Sequence, residues 1–278
     1  MNEQLQKKVD FAIRLLQGAE KMAEKVGQPV EICYSGGKDS DAILELARMS
    51  GIKYRAIYKN TTIDPPGTIA HAKAMGVEVV EPKRNFLNII AQHGYPSRRN
   101  RFCCSYLKEY KILDYAVVGV RRDESKKRAD RYQEPEICRV YSKKVKARQY
   151  LPLLEWTSQD VADFINERGL KVHTLYYDEQ GELHPERRLG CLGCPLAYRR
   201  HRIEEFKHYP GFVKLYLRGG AEILGRSSEQ QNPRMVLQCL RVVCISTFLR
   251  QYARVQEKVR WQYVLPAHRL QEISRRLF

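Results

Sequence analysis

Residues 35–40 read Ser-Gly-Gly-Lys-Asp-Ser and follow a short apolar run. Two adjacent glycines let the backbone turn tightly and present several N–H groups to an anion, at the positive end of the following helix. Ser35 and Ser40 add hydroxyl donors, and Lys38 adds a positive charge. A bare Gly-Gly pair is usually an ordinary strand-to-helix turn, but the flanking residues favour a phosphate-binding loop. The spacing differs from that of a Walker A loop. We call residues 35–40 the phosphate loop.

Two compact cysteine pairs could bind a metal: Cys103-Cys104, and Cys191 and Cys194 in a Cys-x-x-Cys knuckle. In a reducing compartment, clustered cysteines favour metal binding over disulfides. Four thiolates suit zinc or an iron-sulfur cluster. The adjacent pair favours a [4Fe-4S] cluster, because neighbouring cysteines are awkward ligands for one tetrahedral zinc. Cys138 stays unassigned. The isolated cysteines that we interpret as small buried side chains are Cys33, Cys239 and Cys244.

Alternating strands and helices must position these groups. Apolar residues at helical spacing predict an opening helix over residues 4–26, and the run 30–34 predicts a strand. The phosphate loop then leads into a helix capped by Asp39 or Ser40. Strands are also predicted at 54–58, 77–80 and 115–120, with helices at 68–75 and 86–92. This alternation predicts an α/β fold with a mostly parallel twisted sheet and helices on both faces.

The second half of the chain is less regular. Residues 124–148 are strongly charged and lack periodicity, which indicates a long mobile excursion rather than core. A helix is predicted from Trp156 to Arg168, with Thr157 or Ser158 as its cap. After Cys194 the pattern is helical, with a buried helix at 235–255. The predicted organisation is an N-terminal helix at 1–27, a nucleotide-binding domain with the metal site at 28–204, and a helical C-terminal appendage at 205–278.

The chain of 278 residues carries a formal charge of +17, which favours phosphate-rich substrates or polyanionic partners. A solvated basic surface is the alternative interpretation. The arginines at 98–101 and 199–202 adjoin the cysteine pairs. No stretch approaches the roughly 18 apolar residues that a membrane span needs, and residues 1–10 are polar. We therefore expect a cytoplasmic protein that does not contact a membrane.

The order of the motifs resembles the phosphoadenosine phosphosulfate (PAPS) reductase family of the PP-loop (adenine nucleotide α-hydrolase-like) superfamily. The order is the phosphate loop, Cys-Cys followed by Lys108, then residues 119–125 reading Gly-Val-Arg-Arg-Asp-Glu-Ser, then Trp156-Thr157 and Cys-x-x-Cys. The chain is most similar to the members that carry a four-iron cluster. The resemblance covers roughly residues 28–198 and implies a Rossmann-like PP-loop fold.

The resemblance also implies roles for single residues. Catalytic roles fall on Lys38, Asp39 and Arg121. Contacts to an adenine nucleotide, ATP or a related one, fall on Ser35, Gly36, Gly37, Lys38, Asp39, Ser40, Asp64, Arg121 and Arg122. Cluster ligation falls on Cys103, Cys104, Cys191 and Cys194. Asp64 is carried over by its position after the second strand, although its neighbours differ from those in the family.

The last residues depart from the family pattern. Sulfonucleotide reductases of the family end in Glu-Cys-Gly-Leu-His, whose thiolate attacks the sulfate sulfur, whereas residues 271–278 contain no cysteine. We therefore predict an enzyme that uses ATP and Mg²⁺ to adenylylate an oxygen, releases pyrophosphate, and transfers sulfur to a nucleic acid, tRNA or DNA. A sulfur donor or thiol reductant protein would be a further partner. One alternative is sulfonucleotide reduction with a thiol from a partner or Cys138. The other is a non-catalytic module that binds nucleotide or nucleic acid.

Overall fold

The computed structural model describes residues 2–141, 146–216 and 219. These residues belong to two compact units. The first unit contains residues 2–83 and 104–191, and the second contains 84–103 together with 192–216 and 219. The predicted three-part division of the chain stays a prediction, because most of residues 205–278 lies outside the described part.

The elements follow one another in the alternation that the sequence predicted. In chain order they are α1 (Glu3–Glu24), β1 (Val30–Tyr34), α2 (Lys38–Ser50), β2 (Tyr54–Lys59), α3 (Thr68–Ala74), β3 (Glu78–Val80), α4 (Phe86–His93), α5 (Phe102–Leu107), β4 (Tyr115–Val117), α6 (Lys126–Arg131), β5 (Glu136–Val140), β6 (Lys146–Tyr150), α7 (Ser158–Arg168) and α8 (Arg199–His208). Single 3₁₀ turns lie at Arg122–Glu124 and Thr174–Tyr176.

Six strands of the first unit form one sheet in the order β3-β2-β1-β4-β6-β5. All neighbouring strands are parallel except β5 and β6, which are antiparallel. This confirms the predicted α/β fold. From β1 the chain proceeds to β2 and β3 on one side and then returns to β4 on the other. Loops that leave β1 and β4 therefore meet at a topological switch point, where ligands of open α/β sheets usually bind.

Alternation along β1 sends Val30, Ile32 and Tyr34 into the main core of the first unit. The predicted opening helix is confirmed as α1, which packs on α2, and α2 in turn packs on α7. The stripe of α1 that enters this core consists of Leu5, Val9, Ala12, Leu16, Ala19 and Ala23. The predicted cap of α7 is also confirmed, because the Thr157 side chain accepts a hydrogen bond from Asp160 N.

The prediction of a long excursion over residues 124–148 is wrong. The segment contributes α6, β5 and most of β6, and Ala147 and Gln149 of β6 are buried. Arg148 pairs with Glu136 across these two strands at 2.9 Å. In β6 the charged Lys146 and Arg148 alternate with the buried Ala147 and Gln149, a period of two that the high overall charge hid. In β5 there is no such pattern, because Cys138 and Val140 share the exposed positions with Glu136.

The second unit has a small aromatic core. The ring of Tyr216 lies 5.3 Å from that of Phe86, 6.0 Å from that of Tyr95 and 5.4 Å from that of Phe206. Its hydroxyl donates to the Leu192 carbonyl at 2.7 Å. Helix α4 confirms the predicted helix at 86–92, and α8 agrees with the helical pattern predicted after Cys194.

Several predictions fall outside the described residues. These are the buried helix at 235–255 and the interpretation of Cys239 and Cys244 as buried side chains. None of the described helices combines the length and the apolar composition that a membrane span requires.

Candidate phosphate-binding site

The phosphate loop connects β1 to α2 at the carboxyl edge of the sheet. Gly36 has a φ of +80°, in the left-handed region that favours glycine. A Cβ atom at Gly36 would also lie 2.6 Å from Thr68 Cγ2, so both conformation and space require glycine here. Gly37 is the N-cap of α2, with extended backbone. The predicted caps, Asp39 and Ser40, lie inside the first turn instead, because the helix begins at Lys38.

Hydroxyl groups surround the turn. Ser35 Oγ donates to Ser40 Oγ at 3.3 Å, and Ser40 Oγ donates to the Gly37 carbonyl at 2.7 Å. A Cβ atom at Gly37 would lie 3.2 Å from the Tyr176 hydroxyl, so this phenol closes one side of the loop. Burial raises the pKa of Tyr176 to about 12, which keeps the phenol protonated at neutral pH. On this side the turn is therefore lined by neutral hydroxyls, those of Ser35, Ser40 and Tyr176.

Two cations meet at Asp39. Lys38 Nζ lies 3.1 Å from Asp39 Oδ2, and Arg121 Nε lies 2.8 Å from Asp39 Oδ1. Arg121 reaches α2 because Gly119, which follows β4, has no side chain. A Cβ atom there would lie 3.3 Å from Ile43 Cδ1 and 3.5 Å from Asp39 Cβ. The structure therefore brings the three predicted catalytic residues together at the switch point between β1 and β4.

Arg121 is only 3 % exposed, and its remaining contacts fix its orientation. Its Nη1 lies 3.2 Å from Asp123 Oδ2 and 3.2 Å from Ser158 Oγ. Its Nε forms the ion pair with Asp39 Oδ1 at 2.8 Å, so the guanidinium is held between two carboxylates and a hydroxyl before any ligand binds.

Two further arginines, Arg128 and Arg188, extend this basic region. Arg128 belongs to the basic cluster at 121–131, beside which an anionic substrate is expected from the sequence, but neither arginine was assigned a site role. Arg128 pairs with Glu124 one helical turn away. Burial lowers the pKa of Arg128, and the positive charges of Arg188 and Arg121 lower it further. The positive charges of Arg121 and Arg188 therefore lie close enough to Arg128 to repel its charge. Arg128 stood in the segment predicted as an excursion, so no motif indicated it.

Arg122 has different partners from Arg121. Its Nε donates to the Tyr132 carbonyl at 2.8 Å, and its Nη2 donates to the Gln133 carbonyl. Its Nη1 pairs with Glu155. The guanidinium is thus engaged in holding the backbone after α6. The predicted role of Arg122 in nucleotide binding stays a prediction, and these contacts do not support it.

Asp64 lines a pocket beside the phosphate loop. The carboxylate of Asp64 accepts a hydrogen bond from Tyr58 at 2.5 Å, and burial raises the pKa of that phenol. The pocket has a volume of about 490 Å³ and is lined by residues from the end of β2 to α3. Thr68, which contacts Gly36, is one of the lining residues. Asp64 therefore lines a pocket whose wall, at Thr68, adjoins the phosphate loop, and its role in nucleotide binding stays a prediction.

A buried histidine pair lies behind the same pocket. His71 Nε2 lies 3.0 Å from both carboxylate oxygens of Asp41, and Tyr34 donates to the same carboxylate. The ring of His173 lies 5.8 Å from that of His71, and its Nε2 would be 3.3 Å from a Cβ atom at Gly67 in the pocket wall. Burial lowers the pKa of His173, and the charge of His71 lowers it further. No motif indicated this cluster, because its members are far apart along the chain.

The predicted metal ligands are divided between the two units. In the first unit, Lys108 is buried close to Cys104 and Cys191. Burial alone would lower the pKa of Lys108, but electrostatic interactions with Cys191, Asp64 and Cys104 outweigh that effect, so the pKa is raised. The Cys191 thiol donates to Thr61 Oγ1 at 3.7 Å. Two thiols and a cation thus meet near the pocket, and thiols are suitable ligands for iron or zinc.

Cys103 and Cys194 belong to the second unit. All four predicted ligands are reduced thiols and are partly buried. In residues 2–141, 146–216 and 219, no three Cys, His, Asp or Glu side chains are arranged to hold a metal ion. The donor chemistry fits a thiolate-bound metal, and the four-cysteine site stays a prediction. Cys138 is exposed on β5, and burial raises the pKa of Cys33 on β1 to about 12.

A mostly parallel sheet, a glycine loop after β1 and a buried arginine after β4 define an α/β protein with a candidate anion site at the switch point of its sheet. Residues 29–197 match the family model described as the phosphoadenosine phosphosulfate reductase domain. The chain belongs to this family. The resemblance inferred from the motifs is thus confirmed at the level of the family.

Curated relatives match this chain at modest sequence identity. It is 26 % identical over 198 residues to sulfate adenylyltransferase subunit 2 of Salmonella arizonae, covering 56 % of this chain and 62 % of that protein. It is 26 % identical over 222 residues to an uncharacterized protein of Methanocaldococcus jannaschii, covering 75 % of this chain and 51 % of the relative. Among solved structures, PAPS reductase from Candida auris in a phosphate complex aligns with a TM-score of 0.44 and 16 % identity, over 69 % of this chain and 96 % of that one.

The chain spans about half the length of several curated relatives that it matches, including 51 % of the archaeal protein and 43 % of a 37.8 kDa protein of Escherichia phage 186. Membership of the family therefore describes the domain at 29–197. It does not by itself define the activity, the substrate or the partners of the whole protein.

Proposed function

We propose that the chain binds ATP and cleaves it between the α and β phosphates, transferring the adenylyl group to an oxygen of an acceptor. In this step the acceptor oxygen bonds to the α phosphorus, and pyrophosphate leaves. The observation that carries the proposal is the convergence of Lys38 and the buried Arg121 on Asp39 of the phosphate loop. The match to sulfate adenylyltransferase subunit 2 supports the same class of chemistry.

Each residue of the site has a distinct task in this proposal. The backbone of the phosphate loop and the hydroxyls of Ser35 and Ser40 hold phosphate oxygens. Lys38 and Arg121 stabilise the negative charge that develops on the departing pyrophosphate. Asp39 acts as a positioning residue, since it contacts both cations. Mg²⁺, which prefers oxygen ligands, would arrive with the nucleotide phosphates.

The remaining parts of the nucleotide have a place in the pocket. Asp64 and the residues from β2 to α3 border a cavity of about 490 Å³, a size typical of small-molecule sites. Arg128 and Arg188 extend the basic region beyond Arg121. They are better placed than Arg122 for the outer phosphates, because the donors of Arg122 are bonded to main-chain carbonyls and Glu155.

The second half of the proposal is sulfur transfer to a nucleic acid, tRNA or DNA. A hydrosulfide equivalent from a donor displaces AMP from the activated carbon: a carbon-sulfur bond forms, the carbon-oxygen bond breaks, and no net oxidation occurs. Cys103, Cys104, Cys191 and Cys194 would hold a [4Fe-4S] cluster, which supplies a site for binding sulfur. A nucleic-acid acceptor agrees with the charge of +17.

The decisive experiment is an anaerobic turnover assay on the full chain. We expect pyrophosphate release from ATP, stimulated by tRNA or DNA, and no sulfite release from PAPS or adenosine phosphosulfate. Lys38→Ala should weaken ATP binding by about 1.5 to 3 kcal/mol in calorimetry, the range for hydrogen bonds to charged groups. Lys53→Ala is the matched control, because Lys53 is largely exposed. Sulfite release without pyrophosphate release would instead establish the reductase alternative. Unchanged ATP affinity in Lys38→Ala would refute the assigned loop.

A further inference from the structure

An aromatic side chain projects from the second unit. Tyr198 precedes α8 and is 80 % exposed, and Leu196 beside it is 44 % exposed. Among the described residues, Tyr198 is the most exposed of the large apolar side chains, and arginines follow it directly in the chain. Both faces of the Tyr198 ring are apolar, and Tyr198 does not belong to the phosphate loop.

The backbone that presents Tyr198 is firmly held. Arg98 Nε donates to the Pro195 carbonyl at 3.0 Å, and Arg98 Nη2 donates to the Ala197 carbonyl at 3.3 Å. Ala197 N donates to the Cys194 carbonyl at 3.0 Å. In the sequence, Arg98 is one of the basic residues that adjoin the cysteine pairs. In the structure its guanidinium holds backbone carbonyls, so it has a structural role. It also fixes residues 97–101 beside residues 195–198.

Three arginines remain available around this platform. Ser97 N donates to the Asn100 carbonyl at 2.9 Å, forming a turn that exposes Arg99 and Arg101. Arg200 is exposed in the first turn of α8. Within the described ranges, no carboxylate pairs with any of these three guanidinium groups. Among the residues that the structure describes, no carboxylate therefore compensates this positive charge.

We infer that Tyr198, Arg99, Arg101 and Arg200 form a binding site for single-stranded nucleic acid. An unpaired base stacks on the Tyr198 ring, and the neighbouring phosphates lie on the arginines. A duplex fits poorly, because its bases are already stacked and a tyrosine cannot reach their faces without unpairing them. This inference rests on the nucleic-acid acceptor in the proposed function, and it specifies that acceptor as single-stranded or looped.

The test uses the full chain and labelled oligonucleotides of about 12 nucleotides, within the usual site size of such proteins. Fluorescence anisotropy compares oligo-U, oligo-dT and a duplex of the same length. Tyr198→Ala should weaken binding of both single strands about ten-fold, the scale of one base stacking on an aromatic ring, and leave duplex binding unchanged. Equal losses for oligo-U and oligo-dT indicate that the site accepts RNA and DNA, whereas a loss for one alone identifies the acceptor.

Two controls separate stacking from folding. Tyr198→Phe should bind as the wild type does, because the ring is retained. Phe11→Ala, which removes a 43 % exposed aromatic from α1, should also bind normally. The double variant Arg99→Glu/Arg200→Glu should make affinity depend less steeply on salt. The magnitude of the slope of log affinity against log salt concentration should fall by about 0.7 for each single-strand phosphate that the protein no longer neutralises. Tyr198→Ala should leave that slope unchanged.

Several results would overturn the inference. They are unchanged single-strand binding in Tyr198→Ala, a Tyr198→Phe variant as weak as Tyr198→Ala, equal losses for single strand and duplex, or polyglutamate binding that depends equally on Tyr198. ATP binding is measured on the same preparations by calorimetry. If ATP binds and the oligonucleotides do not, this inference fails while the ATP chemistry stands. If the oligonucleotides bind and ATP does not, the proposed function fails instead.

Discussion

Arginines occur in two contrasting settings in this chain. Beside the phosphate loop, Arg121 is buried and paired with Asp39 and Asp123. Around Tyr198, Arg99 and Arg200 are exposed and unpaired with any described carboxylate. A buried cation held by carboxylates is oriented before its ligand arrives, which suits directed contacts to one small anion. Exposed cations keep their counterions until a polyanion displaces them, which suits a flexible chain and makes binding depend on salt.

The largest expected effect concerns the cysteines, because each unit supplies two of the four predicted ligands. Protein prepared without oxygen should be brown and contain iron and labile sulfide in equal amounts. Cys191→Ser in the first unit and Cys194→Ser in the second should each abolish the chromophore. Cys138→Ser, at an exposed position on β5, should retain it. Zinc without sulfide, measured by elemental analysis, would contradict the cluster.

The next largest effect directly compares the two groups of arginines. Arg121→Ala removes one of the two cations that contact Asp39 and leaves Lys38 in place, so the free energy of unfolding in urea should fall by about 1–3 kcal/mol. Pyrophosphate release should fall by about 10²–10³-fold, as when other enzymes lose a donor to developing charge. Arg200→Ala should change stability by less than about 0.5 kcal/mol, as for an exposed side chain.

A second variant keeps the Arg121 prediction testable if Arg121→Ala does not fold. Arg121→Lys retains the charge but lacks the planar fork, so its stability and activity should lie between those of the wild type and those of the alanine variant. Equal stability of Arg121→Ala and Arg200→Ala would remove the distinction between the two settings.

A smaller effect is expected at the turn of the phosphate loop. Gly36→Ala places a Cβ atom in the left-handed region, which costs roughly 1–2 kcal/mol, and brings it 2.6 Å from Thr68 Cγ2. Thr68→Ser removes that methyl group and keeps the hydroxyl that donates to Pro65. The double variant should therefore recover the steric part of the loss but not the conformational part. If the losses of unfolding free energy from Gly36→Ala and Thr68→Ser simply added in the double variant, the two residues would not be in contact.

The smallest expected effect is a pH dependence of the free energy of unfolding, and it arises from His173. Burial and the nearby charge of His71 hold the pKa of His173 below its usual 6.5, so the folded chain favours the neutral ring. This contribution to stability is complete above pH 6.5 and is lost as the pH falls through the lowered pKa. His173→Asn should flatten the fall of unfolding free energy over that range. The Asn oxygen can replace the Nδ1 atom that accepts from Leu175 N. An identical pH profile in both proteins would contradict the role of His173.

The elements of the fold were predicted well where the pattern is local. The run Val30–Tyr34 is apolar and short, and the capping box at Thr157 and Asp160 lies within one helical turn. The antiparallel pair of β5 and β6 was missed because only β6 alternates charged with buried residues, and the exposed positions of β5 are of mixed type. The site was predicted in part: the loop, Lys38 and Arg121 converge, whereas Arg122 holds backbone carbonyls instead.

The sequence by itself determined the phosphate loop, the α/β alternation and the family, because each depends on residue types at fixed spacing along the chain. Only the tertiary structure decided between two adjacent arginines. Consecutive side chains after β4 point in different directions, so Arg121 meets Asp39 and Arg122 meets the Tyr132 carbonyl. The structure likewise decided that Arg98 binds backbone while Tyr198 stays exposed, because partners far apart in the chain become neighbours only when it folds.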